Sequence, residues 1–137
     1  MAVAKRNIIL NGVEEQVTLV ESDFWDKVEG KFDVIVSNPP YIETGDIDGL
    51  DVNVKEHDPI IALDGGEDGM DCYRKIIPKA SEYLVDGGSL CLECGIGQAE
   101  QIVAMMSEQG YGCNIVKDLE GVDRIVVGKK VDKCLKD

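Results

Sequence analysis

Residues 32–41 read Phe-Asp-Val-Ile-Val-Ser-Asn-Pro-Pro-Tyr, and this is the most informative stretch of the chain. The run 32–36 is short and rich in β-branched residues, which predicts a buried strand. The strand must end before Pro39 and Pro40, because proline lacks the backbone N–H that a sheet requires. The stretch therefore predicts a strand followed by a rigid turn, with Asn38 at the mouth of that turn.

The rest of the chain alternates between stretches typical of helices and runs of strand length. Helices are predicted over residues 2–10, 71–84 and 98–109, with a kink or a break at Pro78 in the second. Short apolar or β-branched runs predict further strands over residues 17–20, 89–94, 113–116 and 124–127.

Turns and one long connection separate these elements. Residues 86–88, Asp-Gly-Gly, predict a turn, and residues 42–70 lack a clear period and predict a long, mostly irregular connection. The last two strands are close enough in sequence to form an antiparallel hairpin at the edge of a sheet. The order of elements predicts a doubly wound α/β sandwich whose sheet is mostly parallel.

The composition indicates one small domain and disfavours several functions. At 137 residues the chain can bury one hydrophobic core. Fourteen lysines and arginines against 27 aspartates and glutamates give a net charge of −13, which disfavours binding to duplex nucleic acid or to an anionic membrane. No apolar run approaches the length of a membrane span, so we expect no membrane association.

The cysteines indicate a reducing compartment. There are five, an odd number at irregular spacing, which favours free thiols in the cytoplasm over a disulfide framework. Cys91 and Cys94 have motif-like spacing, but they lie in a predicted strand, where residues three apart point to opposite faces. We expect two packed thiols there in preference to a metal or redox site.

Three polar residues stand at or just past the ends of predicted strands, namely Asp23, Asn38 and Glu93. In doubly wound sheets the ligand lies beyond the carboxyl ends of the strands. We therefore expect these three side chains along one rim of the sheet.

Asn38 has the most specific chemistry of the three. Its amide offers one acceptor and two donors, beside the carbonyl oxygens of the rigid Pro39-Pro40 turn. This combination suits the binding of a planar NH2 group, and the ring of Tyr41 can stack against the same group. The simpler alternative is that the two prolines only end the strand.

Asn38-Pro39-Pro40-Tyr41 resembles the signature of class I S-adenosylmethionine-dependent methyltransferases that methylate planar nitrogens. Further segments narrow the resemblance to the peptide chain release factor glutamine N5-methyltransferases, and it runs from about Ala4 to Gly128. These segments are Glu56-His57-Asp58-Pro59, Ala62-Leu63-Asp64-Gly65-Gly66, Asp68-Gly69, Gly87-Gly88, Glu93-Cys94-Gly95 with Gln98, and Asp123-Arg124.

The resemblance implies a substrate and a cofactor for the rim. It implies that Asn38, Pro39, Pro40 and Tyr41 hold the side-chain amide of a glutamine in a release factor, and that Asn38 also lies near the methionine end of S-adenosylmethionine. In this resemblance Asp23 or Phe24 contacts the adenine ring of the cofactor. The alternative for Phe24 and for Trp25 is ordinary core packing.

The resemblance assigns no metal and no catalytic base. Glu93 matches an acidic position of the family, and we expect it to support the site without transferring a proton. His57, the only histidine, lies far from the tetrapeptide in sequence. We expect a structural or loop-anchoring role for it.

The chain departs from the family in one respect. Class I methyltransferases bind the cofactor with a Gly-rich loop after the first strand and an acidic residue at the end of the second, and neither is found here. We therefore interpret residues 1–137 as the C-terminal portion of a methyltransferase domain that lacks the first two strands. Weak or absent binding of S-adenosylmethionine by this chain alone is the expected consequence.

The same departure predicts an unpaired apolar edge on the strand over residues 32–36, and hence a homodimer through that edge. Two alternative functions stay open. One is methylation of the N6 amine of adenine in nucleic acid, and the other is a dimerising module without catalysis.

Overall fold

The computed structural model describes residues 1–51 and 58–131. Its strands are β1 (Phe32–Ser37), β2 (Leu84–Glu93), β3 (Tyr111–Lys117) and β4 (Asp123–Lys130). Its helices are α1 (Ala2–Asn11), α2 (Asp71–Tyr83) and α3 (Ala99–Glu108), with short 3-10 helices over Thr44–Gly49 and Ile60–Ala62.

The four described strands form one mixed sheet in the order β1-β2-β4-β3. β1 and β2 are parallel, and their register pairs Ser37 with Leu92, so their carboxyl ends lie level at one edge of the sheet. β2 and β4 are antiparallel, as are β3 and β4, which confirms the predicted C-terminal hairpin. β1 lies at the edge of this sheet.

The core lies between one face of the sheet and the helices α2 and α3. Alternate residues of β2, among them Leu90 and Leu92, are fully buried on this face. α2 continues through Pro78, which is exposed on the side of the helix away from the core. The remaining buried apolar residues include Tyr73, Ile76, Ile77 and Ala80 of α2, Ala99, Ile102 and Met106 of α3, and Val126 of β4.

Two local predictions were wrong. Residues 17–20 form no strand, because no described strand lies beside them to satisfy their backbone hydrogen-bonding groups. Residues 86–88 are not a separate turn: β2 begins directly after α2 at Leu84 and contains them. Gly87 adopts a positive φ of 72° there, and the pairing with β1 shifts register between Phe32 and Val34, so these residues form an irregularity within the strand.

The second face of the sheet is open along β1. Val34 and Val36 are 54% and 75% exposed, so the strand is formed as predicted but is not buried as its composition predicted. α1 has no buried residue, and its end is set by Gly12, whose φ of 62° ends the helix in the left-handed conformation. Within the described ranges, the helices are too short to cross a bilayer.

Candidate functional site

The predicted tetrapeptide, here termed the 38–41 turn, lies directly beyond the carboxyl end of β1. Asn38 is exposed and Pro39 is buried, while Pro40 and Tyr41 are half-buried. Because Ser37 pairs with Leu92, Asn38 follows β1 at the same level at which Glu93 ends β2. Two of the three predicted rim residues are therefore brought together.

The turn lines a cavity of about 340 Å³. Its other lining residues come from the connection that follows the turn: Ile42, Asp58, Ala62 and Leu63. Among the described residues, none forms a hydrogen bond with the side chain of Asn38, whose amide is therefore available to a ligand at this cavity. An exposed amide beside a rigid proline turn is the arrangement that the sequence predicted.

The long connection folds back onto the turn. Backbone hydrogen bonds run from Ile42 N to Leu63 O (3.0 Å) and from Gly65 N to Ile42 O (2.8 Å). Asp64, which pairs with Ile42 in a parallel bridge, accepts hydrogen bonds from the hydroxyl of Thr44 (2.7 Å) and from the backbone N–H of Gly66 (2.9 Å). These two bonds, that from Thr44 first, lower the pKa of Asp64. The connection is mostly irregular, as predicted, but it is closely tied to the site.

Tyr41 lies between two cavities. It lines the cavity described above and, on its other side, one of about 310 Å³ that includes Gly95, Ile96, Gln98 and Arg124. Its hydroxyl donates a long hydrogen bond of 3.5 Å to Oε1 of Glu93. Burial, and then the nearby charge of Glu93, raises the pKa of Tyr41, so its hydroxyl stays protonated at neutral pH.

Glu93 is held from the core side. The hydroxyl of Tyr73, a fully buried residue of α2, donates a 2.7 Å hydrogen bond to the backbone carbonyl of Glu93. The carboxylate is the acceptor for Tyr41. The geometry is compatible with the supporting role that we expect for Glu93.

Phe24 lies in a strained turn. Its φ of 46° is in the left-handed region, where a bulky side chain is unfavourable by about 1–2 kcal/mol. The hydroxyl of Ser22 stabilises the turn by donating to Phe24 O (3.1 Å) and accepting from Lys27 N (2.9 Å). Trp25 is anchored on α2, since its ring stacks on Tyr83 at 4.5 Å and 8°. Both aromatic residues pack against the core, although each is only partly buried.

The structure separates Asp23 from the 38–41 turn. Phe24 and Ser37, the residue before Asn38, line the same apolar cavity of about 160 Å³. Asp23 is exposed and lines a different cavity, of about 250 Å³, with Arg74, Lys75 and Lys79. Of the two residues predicted to contact the adenine, Phe24 therefore lies beside the end of β1, whereas Asp23 lies towards α2.

The described residues include four of the five cysteines and most of the side chains that could bind a metal ion. Within residues 1–51 and 58–131, no group of His, Cys, Asp or Glu side chains is arranged to hold a metal ion. Cys72, Cys91, Cys94 and Cys113 are free thiols, as predicted. Burial raises the pKa of Cys72, Cys94 and Cys113. His57 lies outside the described residues.

Two residues near the turn were not predicted to belong to the site. The side chain of Gln98 donates to the backbone carbonyl of Tyr41 (3.0 Å). Arg124 lines the second cavity beside Tyr41 and pairs with Asp118 at 3.2 Å, which raises the pKa of its guanidinium. Both residues belong to the segments that resemble the family, but their sequence context alone shows no role.

The fold is that of a methyltransferase. Its described part is similar to the crystal structure of a methyltransferase from Pyrococcus furiosus, with a TM-score of 0.62 over 94% of this chain and 56% of that one, at 22% sequence identity. The described strands and helices thus form part of a Rossmann-like methyltransferase fold.

The chain belongs to the family described as Eco57I restriction-modification methylase, whose model matches residues 4–94. It is also similar to the release factor glutamine methyltransferases of Geobacter sulfurreducens (47% identical) and Agrobacterium fabrum (37% identical), each over 131 residues. These matches cover 94% and 95% of this chain but 45% of each relative. They confirm the resemblance read from the motifs, and the chain spans less than half the length of these curated relatives.

Proposed function

We propose that this chain is the part of an S-adenosylmethionine-dependent methyltransferase that binds the side-chain amide of a glutamine in a peptide chain release factor. The observation that carries the proposal is the exposed amide of Asn38, directly beyond the carboxyl end of β1 in a rigid proline turn. A primary amide presents two N–H donors in one plane. The oxygen of Asn38 and a carbonyl oxygen of the turn can accept both of them.

Methyl transfer to an amide nitrogen requires alignment of the reacting atoms more than it requires a general acid or base. An amide nitrogen is a poor nucleophile because its lone pair is delocalised into the carbonyl group. Acceptors on the two N–H groups orient the nitrogen and stabilise the positive charge that develops there. Tyr41 keeps its proton because burial raises its pKa, so we assign it no base function and expect its ring to pack against the substrate amide.

We expect the described residues to contact the two ends of the cofactor. S-adenosylmethionine, when bound, supplies an electrophilic methyl group. The apolar cavity between Phe24, Ile35 and Ser37 suits a flat ring such as adenine and lies beside Asn38. We propose Phe24, with Asp23 at the neighbouring cavity, as contacts to the adenine end and Asn38 as the contact to the methionine end. The loop between β2 and α3 contains Gly95 and Gly97, and residues 65–69 before α2 include three glycines. Both match later segments of the resembled family and not the Gly-rich loop after its first strand, so we expect weak or absent binding by this chain alone.

A second candidate function is methylation of the N6 amine of adenine in nucleic acid. It is favoured by the match to the restriction-modification methylase model, and the same turn can bind an exocyclic amine. The net charge of −13 opposes it, because phosphate binding requires cations. We therefore prefer a release factor, the substrate that the names of the curated relatives give, over nucleic acid.

A chimera tests the preferred function. This chain would replace the matching 131 residues of the Geobacter sulfurreducens relative, to which it is 47% identical. Methyl transfer would be measured with a release factor and with an adenine-containing oligonucleotide. We expect transfer to the release factor and a loss of about 10²–10³-fold in Asn38→Ala. The control is Asn114→Ala, an exposed asparagine of β3. Transfer to the oligonucleotide alone would favour the second candidate.

The chain by itself provides the complementary measurement. Titration calorimetry with S-adenosylmethionine should show weak or undetectable binding. Tight binding would contradict the expectation that part of the cofactor site lies outside this chain. An inactive chimera that is folded would favour a dimerising module without catalysis. Free thiols and the names of the relatives also support our proposal that the protein acts in the cytoplasm.

A further inference from the structure

The side chain of Gln98 stands at the beginning of a helix but does not cap it. Gln98 is the residue at the N-terminus of α3, where short polar side chains commonly accept hydrogen bonds from the first turn of a helix. Gln98 forms no such bond. Its side chain instead points away from the helix and towards the loops beyond the sheet.

All polar atoms of this side chain have partners. Oε1 accepts a 2.9 Å hydrogen bond from the backbone N–H of Gly95. Nε2 donates to the carbonyl oxygens of Tyr41 at 3.0 Å and Gly69 at 3.3 Å. One half-buried amide therefore joins the 38–41 turn, the loop after β2 and the end of the long connection.

Glycines make room for this amide. A Cβ atom at Gly69 would overlap the carbonyl oxygen of Tyr41 and lie 2.5 Å from Nε2 of Gln98. A Cβ atom at Gly95 would lie 3.0 Å from Oε1 of Gln98 and 3.0 Å from the Tyr41 ring. At Gly65 it would lie 2.8 Å from the Cα atom of Tyr41. The backbone of Tyr41 is thus closely surrounded, and only residues without a Cβ atom allow Gln98 to reach it.

We propose that Gln98 is a positioning residue for the 38–41 turn: through Nε2 it holds the backbone carbonyl of Tyr41 and thereby the orientation of Asn38 and of the Tyr41 ring. Ile42 is already tied to Leu63 and Gly65, so the bond from Gln98 fixes the turn on the side of the sheet. The meaning of this role for catalysis rests on the proposed function, whereas the hydrogen bonds and their test do not.

The first test uses the unmodified chain labelled with ¹⁵N. Side-chain amide hydrogen exchange would be compared for Gln98, Gln101 and Gln109, of which the last two are exposed. We expect the Nε2 protons of Gln98 to exchange at least about tenfold more slowly, because both have carbonyl acceptors. Exchange as fast as in Gln101 would overturn the proposal without any substitution.

The second test is Gln98→Glu. The new carboxylate retains the acceptor for Gly95 but places an oxygen against the carbonyl oxygens of Tyr41 and Gly69. At pH 7 the backbone amide signals of Tyr41, Ile42 and Gly69 should therefore shift. The protonated acid regains one donor, so the signals should return towards those of the unmodified chain as the pH falls, at a pH above the ordinary glutamate value of about 4.3.

The matched control is Gln101→Glu, which makes the same change of charge on the exposed side of α3. Glu43, Asp46, Glu93 and Arg124 lie around Tyr41 and are present in both variants. Any effect of these charged groups on the signals of Tyr41 over the pH range will therefore also be seen in the control. Equal behaviour of the two variants would overturn the proposal. A merely structural role for Gln98 would show a loss of stability without recovery in acid, and that result would also overturn it.

The chimera separates this proposal from the proposed function. There, Gln98→Glu should reduce methyl transfer at neutral pH about tenfold or more, while Gln101→Glu should not. If the unmodified chimera is inactive, the proposed function fails, but the hydrogen-exchange and pH results on the chain still decide the role of Gln98. If the chimera is active and Gln98→Glu is as active as the control, the positioning role is wrong.

Discussion

The hydroxyl of Tyr73 donates a 2.7 Å hydrogen bond to the backbone carbonyl of Glu93, so a fully buried residue of α2 holds the residue that ends β2. The carboxylate of Glu93 is in turn the acceptor for the hydroxyl of Tyr41. The hydrophobic core and the 38–41 turn are thus connected through one residue. A substitution at Tyr73 or Glu93 is therefore expected to affect both the stability of the core and the geometry of the site.

Removing this hydroxyl should destabilise the protein. In Tyr73→Phe the ring still fills the core, but the carbonyl of Glu93 loses a donor in a partly buried position. We expect the free energy of unfolding to fall by about 1–2 kcal/mol. Urea denaturation would show this as a lower midpoint with an unchanged slope. An unchanged midpoint would mean that the bond contributes nothing to the folded state.

The opposite result is expected at Tyr111. Its hydroxyl is buried and has no hydrogen-bond partner in the described part of the chain, and burial raises its pKa to about 12. Tyr111→Phe removes an unsatisfied polar atom, so stability should stay the same or rise by up to about 1 kcal/mol. The same denaturation experiment checks this. A loss as large as that of Tyr73→Phe would show that the hydroxyl has a partner.

Asp68 should stabilise the protein at neutral pH and lose this contribution in acid. The guanidinium of Arg74, which donates to it at 2.8 Å, lowers its pKa to about 2, below the ordinary value of 3.8. A lowered pKa in the folded state stabilises the protein above the ordinary value, and this contribution is lost as the pH falls from about 4 through about 2. Asp68→Asn should therefore have a shallower loss of stability over that window.

The acid dependence would be measured by thermal unfolding between pH 2 and about 5. Glu108→Gln, which makes the same change of charge at the exposed end of α3, should retain the steeper profile of the unmodified chain. Because Asp68 and Arg74 are both about half exposed, the effect should also weaken in high salt. A profile of Asp68→Asn parallel to the control would show that the ion pair does not persist in solution.

The edge of β1 is our proposed site of self-association. It lies at one end of the described sheet, and Val36 is 75% exposed there. Sedimentation equilibrium should show a dimer at micromolar concentration, and Val36→Lys should shift it to a monomer, since lysine on an edge opposes pairing. The control is Leu119→Lys, in the exposed turn between β3 and β4. A monomeric unmodified chain would refute the proposed dimer.

The sequence predicted most elements whose pattern is local. Two patterns lie within a few residues in sequence and could therefore be recognised without the structure. One is the β-branched run of β1, and the other is the helical spacing of the apolar residues Tyr73, Ile76, Ile77 and Ala80 in α2. Residues 17–20 have strand composition but no described partner strand, and residues 86–88 have turn composition but lie within β2. In the first case a described partner strand is missing, and in the second the strand β2 continues through residues of turn composition, so tertiary context overrode the local preference.

The candidate site also has one part that could be predicted from sequence and one part that depends on tertiary contacts. The rigid Pro39-Pro40 turn and the exposed amide of Asn38 follow from residues adjacent in sequence, because proline restricts its own backbone and ends the strand. The two acceptors of Gln98 Nε2 lie 57 and 29 residues away in sequence, at Tyr41 and Gly69. No local pattern encodes a hydrogen bond across such a separation. Only the packing of α3 against the sheet, with glycines that admit the side chain, decides that Gln98 meets the turn.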